Sequence, residues 1–269
     1  MKKFLIYAAP ILAICTTGII FLSGSQNENP PRAQSQRLSS AITCSIELPD
    51  EISFAGETTS LERYDLHERY DRELNSFVYF HSTTLLLIKR ANRYFPVIEP
   101  ILKKYGIPDD FKYLAVIESS LNPRAYSPAK AAGLWQFMPD TGKRYGLEIS
   151  DEVDERYSIE KSTEAACKYL KSAYARYRSW TSAAISYNAG VGRIDGELDK
   201  QSGENGLDLW LVEESSRYYF RMVAAKNIFE SPIKYGFLLY EHQLYKPIEF
   251  NTVEVSENID DLAAFAKSQ

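Results

Sequence analysis

The sequence predicts an all-α domain, because apolar residues recur at helical spacing from residue 74 onward. Gly-containing and Pro-containing turns separate the helical segments, and no alternating run inside this region is long enough for a large sheet. The spacing predicts helices over residues 71–94, 96–105, 109–121, 138–145, 159–178, 180–187, 191–199 and 213–229. We therefore expect a helical fold held by packing between amphipathic faces.

The composition divides the chain into four expected segments. Residues 1–24 combine a basic start with the uncharged apolar run 4–22, which is typical of a signal peptide or a membrane anchor. As a helix that run would span about 28 Å, close to the ~30 Å hydrocarbon core of a bilayer. Residues 25–60 are rich in polar residues and are expected to be a disordered spacer. The helical domain is expected over 61–240, with a C-terminal extension over 241–269.

The net charge of -5 argues against a nucleic-acid-binding protein, since phosphate contacts require a basic surface. The three histidines, His67, His81 and His242, are scattered and form no metal-ligand spacing. No glycine pattern matches a dinucleotide-binding loop. We therefore expect neither a metal ion nor an organic cofactor.

One carboxylate occupies a position where an apolar residue is expected. Phe111, Leu114, Ala115 and Glu118 follow the i, i+3, i+4, i+7 pattern of one helix face, which Leu121 continues. A Glu on a core-facing stripe loses solvation, and this favours its protonated form. Two interpretations remain open: a general acid, or a structural carboxylate that pairs with a buried Arg or caps a loop.

Three sequence blocks follow in order and bear on this choice. The first is Glu118-Ser119, the second runs from Gly133 to Pro139 as G-L-W-Q-F-M-P, and the third is Tyr187-Asn188-Ala189-Gly190. In these blocks the chain resembles the lysozyme-like lytic transglycosylases, and is most similar to their membrane-bound D type. Residues 214–218 match a fourth motif loosely, with E-S-S-R-Y where the family usually has E-T-x-x-Y. The resemblance covers roughly residues 74–237.

The resemblance implies a lysozyme-like helical domain with a catalytic cleft. It also implies cleavage of the β-1,4 bond between N-acetylmuramic acid and N-acetylglucosamine in peptidoglycan. In that chemistry one Glu, here Glu118, acts as acid and then as base, while the 6-hydroxyl of the sugar closes a 1,6-anhydro ring. Ordinary glycosidases use two carboxylates. Within the matched blocks only Glu118 is placed for such a role.

The resemblance also suggests substrate-binding residues, beside structural alternatives. Gln136 is implied to face the N-acetylated sugar and Met138 to line the cleft, whereas Trp135 and Phe137 are expected to be core residues. Ser119 is expected to bind either substrate or the helix backbone.

Two further candidates lie near helix ends. Tyr187 and Asn188 are expected near Glu118, although Asn at a helix C-terminus is also a common cap. Tyr218 is carried over from the fourth motif, with Tyr219 as the competing candidate.

We consequently expect an exported enzyme of the periplasm or cell envelope, either released or held at the membrane through residues 4–22. Its partner would be a peptidoglycan glycan strand, and we expect a monomer. Two alternatives stay open: a hydrolytic muramidase similar to goose-type lysozyme, and a non-catalytic peptidoglycan-binding protein. An acid on a core-facing helix stripe argues against the second, because a binding protein does not need one.

Overall fold

Helices make up most of this computed structural model, which describes residues 44–250 and 253–268. Within those residues the chain forms nine α-helices and one β-hairpin. The helices are α1 Tyr64–Tyr79, α2 His81–Tyr105, α3 Lys112–Ser119, α4 Pro139–Arg144, α5 Ile159–Tyr177, α6 Trp180–Ala189, α7 Val191–Gln201, α8 Glu213–Glu230 and α9 Leu262–Ser268. The predicted all-α class is confirmed, and most helix boundaries agree with the sequence within a few residues.

The expected signal or anchor segment, 1–24, lies outside the described residues, as does most of the expected spacer. Within 44–250 and 253–268, none of the helices combines the length and the apolar character needed to cross a bilayer. Residues 47–269 belong to one compact unit.

The first helix break differs from the prediction. The chain interrupts the helix at Phe80, where φ is -84° and ψ is 56°, and α2 then continues through both Pro96 and Pro100. Each proline removes one backbone hydrogen bond and would ordinarily end a helix. Ile98 and Leu102 are fully buried on the same helix. Tertiary packing therefore stabilises a helix that local propensity predicts to be interrupted.

Helix α8 lies at the centre of the domain, packed against α1, α3 and α6. Its residues from Tyr218 to Phe220 and from Met222 to Ala225 are all buried, so it is apolar on several faces. A helix with this composition must be surrounded by other elements. Because α3 and α6 carry the first and third sequence blocks, α8 determines how those blocks are brought together.

The expected disordered spacer is wrong for its last ten residues. Strand β1, Glu51–Phe54, pairs antiparallel with β2, Glu57–Ser60. Ala55 and Gly56 connect them with φ values of 54° and 81°, the positive angles of a type I′ turn. Ala-Gly is not one of the dipeptides that favour this turn, so the sequence gives no strong hairpin signal here.

The hairpin packs into the helical domain. Phe54 is fully buried and meets the rings of Phe111 and Tyr219 edge-on, at centroid distances of 5.2 and 5.8 Å. Glu57 accepts hydrogen bonds from the backbone N–H groups of Trp180 (2.5 Å) and Thr181 (2.9 Å), at the start of α6. A carboxylate at a helix N-terminus satisfies free donors and complements the helix dipole. The hairpin thus connects α6, α8 and the turn before α3.

The C-terminal extension begins by running along α2. The N–H of Tyr245 donates to the carbonyl of Lys89 (3.2 Å), and the side chains of Asn92 and Arg93 donate to the carbonyls of Tyr245 (3.1 Å) and Lys246 (3.0 Å). These bonds fix residues near 245 on the outer surface of α2.

Candidate active site

Glu118 lies in the last turn of α3, where the helix ends. A 3-10 turn at Asp109–Phe111 leads into α3, and Ser120 and Leu121 then adopt left-handed φ values of 54° and 53°. The helix therefore ends at Ser119, two residues before the predicted end. Glu118 is half-buried, whereas the apolar residues of its stripe, Phe111 and Leu114, are fully buried. The predicted placement of a carboxylate on the core-facing stripe is confirmed.

The hydroxyl of Tyr218 donates a hydrogen bond to Oε1 of Glu118. Burial of the Glu118 carboxyl raises its pKa to about 7, from an ordinary value of 4.5. The bond from Tyr218 opposes that rise, because it stabilises the charged form. The net result is a carboxyl that exchanges its proton near neutral pH, as general acid–base catalysis requires.

Two further charged side chains, Glu214 and Arg221, also act on Glu118. The charge of Glu214 raises the Glu118 pKa, and the charge of Arg221 lowers it. Glu214 is exposed in the first turn of α8. Arg221 is fixed by Glu73, whose almost fully buried carboxylate also binds Arg217. The i, i+4 spacing of the two arginines was visible in the sequence, whereas their shared carboxylate on α1 was not.

The second sequence block lies in a tightly folded loop. Gly133 has φ of 78°, and a Cβ there would come within 1.8 Å of the carbonyl oxygen of Arg156, so only glycine fits. The buried guanidinium of Arg156 donates to the carbonyls of Lys130 (2.7 Å) and Phe137 (3.0 Å) and pairs with Asp154. This pairing fixes the loop on both sides of Gln136. No sequence motif marks Arg156.

Gln136 and Met138 differ in how they are held. Gln136 is half-buried with φ of 49°, and its amide nitrogen donates to the carbonyls of Gly133 (2.9 Å) and Ala125 (3.3 Å). The Gln136 amide nitrogen is therefore engaged by backbone carbonyls of its own loop. Met138 is 43% exposed. Trp135 and Phe137 are buried, as expected for core residues.

Tyr187 joins the second and third blocks. Its hydroxyl donates to the carbonyl of Trp135 (2.9 Å), and its ring meets that of Phe137 at 5.9 Å. Burial, and then the nearby charge of Glu118, raise the pKa of Tyr187 well above its ordinary value. Tyr218 on α8 thus bonds Glu118 directly, whereas Tyr187 on α6 lies close enough for the Glu118 charge to raise its pKa.

Asn188 does not act as the helix cap that its position allowed. Its side-chain oxygen accepts a hydrogen bond from the hydroxyl of Ser215 at 2.7 Å. Ser215 is the residue that departs from the family's usual threonine, and here its hydroxyl joins α8 to the end of α6. Gly190, with φ of 84°, ends the helix instead.

The hydrogen bonds bear on two alternatives that the sequence left open: the role of Ser119, and the choice between Tyr218 and Tyr219. Ser119 is buried. Its hydroxyl donates a hydrogen bond to the carbonyl of Ala115 (3.2 Å) and accepts one from the N–H of Asn122 (3.3 Å). These bonds correspond to the backbone alternative rather than to a substrate contact. Tyr219 is fully buried and its hydroxyl bonds Thr59 of the hairpin at 3.2 Å, so Tyr218 is the tyrosine that reaches Glu118.

Among residues 44–250 and 253–268, no group of three or more His, Cys, Asp or Glu side chains is placed to hold a metal ion. The site therefore consists of one carboxyl with a pKa near neutrality, the Tyr218 hydroxyl that bonds it, and Tyr187, which ties the loop of the second block to α6. This arrangement can donate and accept a proton at a partly solvent-exposed position.

Residues 96–208 match the family described as the transglycosylase SLT domain. The membrane-bound lytic murein transglycosylase D of Escherichia coli strain K12 is 31% identical over 177 residues, covering 64% of this chain. The membrane-bound lytic murein transglycosylase F of Salmonella typhi is 29% identical over 177 residues, covering 62% of this chain. This chain spans 38% and 34% of the lengths of these two relatives.

Among solved structures, the 70 kDa soluble lytic transglycosylase of Escherichia coli aligns with a TM-score of 0.45 at 21% identity. The alignment covers 58% of this chain and 27% of that protein.

Proposed function

We propose that this protein is a lytic transglycosylase that cleaves the β-1,4 bond between N-acetylmuramic acid and N-acetylglucosamine in peptidoglycan. The observation that carries the proposal is Glu118, whose carboxyl has a pKa of about 7 and receives a hydrogen bond from Tyr218. The family match and the murein-acting relatives support the same reaction and a lysozyme-like form of the helical domain.

The first chemical step uses Glu118 in its protonated form. At neutral pH a carboxyl with a pKa of about 7 is protonated in about half of the molecules, so it can donate to the leaving glycosidic oxygen. Cleavage leaves an oxocarbenium-like centre on the muramyl sugar. Tyr218 then stabilises the carboxylate that has formed, since its hydroxyl donates to Oε1.

The second step uses Glu118 as a base. The 6-hydroxyl of the same sugar attacks the anomeric carbon and gives its proton to Glu118, which closes the 1,6-anhydro ring and restores the acid. The attacking hydroxyl is already part of the bound sugar, so its attack avoids much of the entropic cost of recruiting water. These two reaction steps require no metal ion and no second carboxylate.

A hydrolytic muramidase is the main alternative, because a second carboxylate that activates water would give a reducing end. Glu214 is the other carboxylate whose charge raises the pKa of Glu118. It is exposed, so it lacks the burial that tunes Glu118. We therefore assign Glu214 an electrostatic influence and no catalytic step.

Mass spectrometry of the soluble fragments released from purified peptidoglycan tests the proposal. We expect 1,6-anhydro-muramyl ends, lighter by one water than hydrolytic ends. The Glu118→Gln variant keeps the shape of the side chain, loses its exchangeable proton, and should release at least about 100-fold less material. Glu214→Gln is the matched control and should retain the anhydro product.

Other outcomes have distinct meanings. Reducing muramyl ends from the parent protein, lost in Glu214→Gln, would establish the hydrolase. Wall binding without any soluble fragment would establish the binding protein. Parent-level release by Glu118→Gln would exclude Glu118 as the acid.

The site of action we propose is the periplasm or cell envelope, with residues 4–22 as a signal or anchor. The relatives named above are described as membrane-bound and as acting on murein, which supports this location. Cell fractionation of the full chain and of a chain without residues 1–24 tests it. Recovery of both in the cytoplasm would contradict the proposal.

A further inference from the structure

Trp210 is 85% exposed, although its backbone is firmly held. It lies in the segment 202–212, which connects α7 to α8. The side-chain amide of Gln201 accepts from the N–H of Trp210 (2.7 Å) and donates to its carbonyl (3.2 Å). The same amide nitrogen also donates to Glu197 at 2.7 Å. The indole is thus held out in solvent by a backbone that is fixed on both sides of its Cα.

The rest of the segment is anchored too. Leu209, the neighbour of Trp210, is buried, and Asp208 forms an ion pair with Arg63 at 2.7 Å. The N–H of Gly206 donates to the hydroxyl of Ser182 in α6 at 3.0 Å. Exposure of Trp210 therefore does not result from a loosely attached loop. An exposed indole on a fixed backbone gains nothing from core packing and is open to a ligand.

The segment is joined to the start of α6 through Gly206 and Ser182. Helix α8, which follows the segment, is joined to the end of α6 through Ser215 and Asn188. Trp210 lies between these contacts, five residues before Ser215. A chain of that length spans at most about 17 Å. Trp210 therefore lies within about 17 Å of Ser215, which joins α8 to the end of α6 beside Tyr187.

The chemistry of the surface selects a sugar as the ligand. A pyranose ring presents apolar C–H groups on its faces and hydroxyls at its edge, which complements an aromatic face. A rigid indole also binds with little loss of side-chain entropy. The nearest charged residues on either side of Trp210 in the chain are the acids Asp208 and Glu213, which pair with Arg63 and Arg72. Anionic lipid surfaces attract basic segments, and residues 202–212 contain no Lys or Arg, which disfavours membrane docking.

We propose that Trp210 stacks on a sugar ring of the glycan strand, at a subsite away from the bond that Glu118 cleaves. This inference rests on the proposed function, because it takes the same glycan as ligand. The subsite contributes to affinity for long strands and takes no part in the chemistry.

Binding is measured in the Glu118→Gln background, so that the ligand stays intact. The probes are soluble oligosaccharides of the N-acetylglucosaminyl–N-acetylmuramyl repeat, in increasing lengths. Trp135 is fully buried and Trp180 is stacked on Tyr174 at 4.0 Å, so Trp210 is the tryptophan most open to ligand. We expect a blue shift of tryptophan emission with long oligosaccharides, and its loss after Trp210→Phe.

Affinity provides the second readout. Trp210→Ala should weaken binding of long oligosaccharides by about 3- to 10-fold and leave the shortest unchanged. Trp210→Phe retains an aromatic face and should recover most of that loss. Phe80→Ala is the matched control, since Phe80 is also an exposed aromatic (65%) but lies between α1 and α2. It should bind every length as the Glu118→Gln protein does.

The outcomes separate this inference from the proposed function. If Trp210→Ala binds all lengths with unchanged affinity while the parent still releases anhydro fragments, the subsite is excluded and the function stands. Equal losses in Trp210→Ala and Phe80→Ala would also overturn the subsite. If Trp210→Ala no longer sediments with anionic lipid vesicles as the parent does, while its glycan affinity is unchanged, Trp210 forms a membrane contact instead.

Discussion

Tyr218 and Glu118 are 100 residues apart in the chain and are joined by a hydrogen bond from the tyrosine hydroxyl to the carboxylate. Tyr218 is buried on the central helix α8, whereas Glu118 ends the short helix α3. Their contact opposes the effect of burial on the acid, because it favours the charged form. The two side chains therefore set the proton affinity of the candidate site together.

Tyr218→Phe should raise the pKa of Glu118 above about 7, because the variant removes a hydrogen bond to the charged form. The alkaline limb of the pH–rate profile should move to higher pH. We also expect about a 10-fold loss of rate at neutral pH, since the carboxyl loses its orienting contact. Rates of fragment release across pH 5–9 test this. An unchanged alkaline limb would show that Tyr218 does not influence the acid.

Glu214→Gln should have the opposite effect on the profile. Removing a negative charge near Glu118 lowers the cost of ionising it, so its pKa falls and the alkaline limb moves to lower pH. Because Glu214 is exposed, we expect the maximal rate to stay within about 3-fold of the parent. The same pH series measures both effects. A rate reduced as far as in Glu118→Gln would assign Glu214 a chemical role.

Glu118→Gln should stabilise the protein at alkaline pH. The folded-state pKa of about 7 lies above the ordinary 4.5, so the folded state binds more protons than the unfolded state between these values. The free energy of unfolding of the parent therefore falls as pH rises through this window. At pH 8 the variant should be more stable by ~1–3 kcal/mol, and the difference should vanish below about pH 4.5.

Urea unfolding at pH 4, 6 and 8 measures that difference. Glu62→Gln, at an exposed position, is the matched control and should show little change with pH relative to the parent. A Glu118→Gln variant that is less stable than the parent at pH 8 would contradict the buried-acid assignment.

Removal of the hairpin should destabilise the site. The domain bounds expected from the sequence, 61–240, predict that a chain beginning near Leu61 is soluble and active, whereas the packing of the hairpin predicts the opposite. Such a chain lacks Phe54 and also Glu57, which caps the start of α6. We expect it to aggregate or to lose activity, whereas a chain beginning at Glu47 should retain both properties.

A point variant tests the same contact in the full chain. Phe54→Ala should lower the free energy of unfolding by about 3–5 kcal/mol, because it leaves a cavity between Phe111 and Tyr219. Thermal unfolding followed by circular dichroism measures the loss. A chain beginning at Leu61 that unfolds at the parent temperature would show that the hairpin contributes nothing.

The site illustrates which features local sequence can predict. The apolar stripe of α3 placed Glu118 correctly, since helix periodicity alone determines which residues share a face. The second block predicted a tight loop, and Gly133 confirms it with a positive φ. It did not predict Arg156, because the guanidinium reaches the loop from a later segment of the chain.

The sequence by itself determined the helical class, the helix face on which Glu118 lies and the three blocks, all of which depend on residues close together in the chain. The tertiary structure decided between Tyr218 and Tyr219. The two residues are adjacent on α8, about 100° apart around the helix, and both are buried. Packing of α8 between α3 and the hairpin directs Tyr218 to Glu118 and Tyr219 to Thr59. Such a choice depends on contacts distant in sequence, which no local pattern encodes.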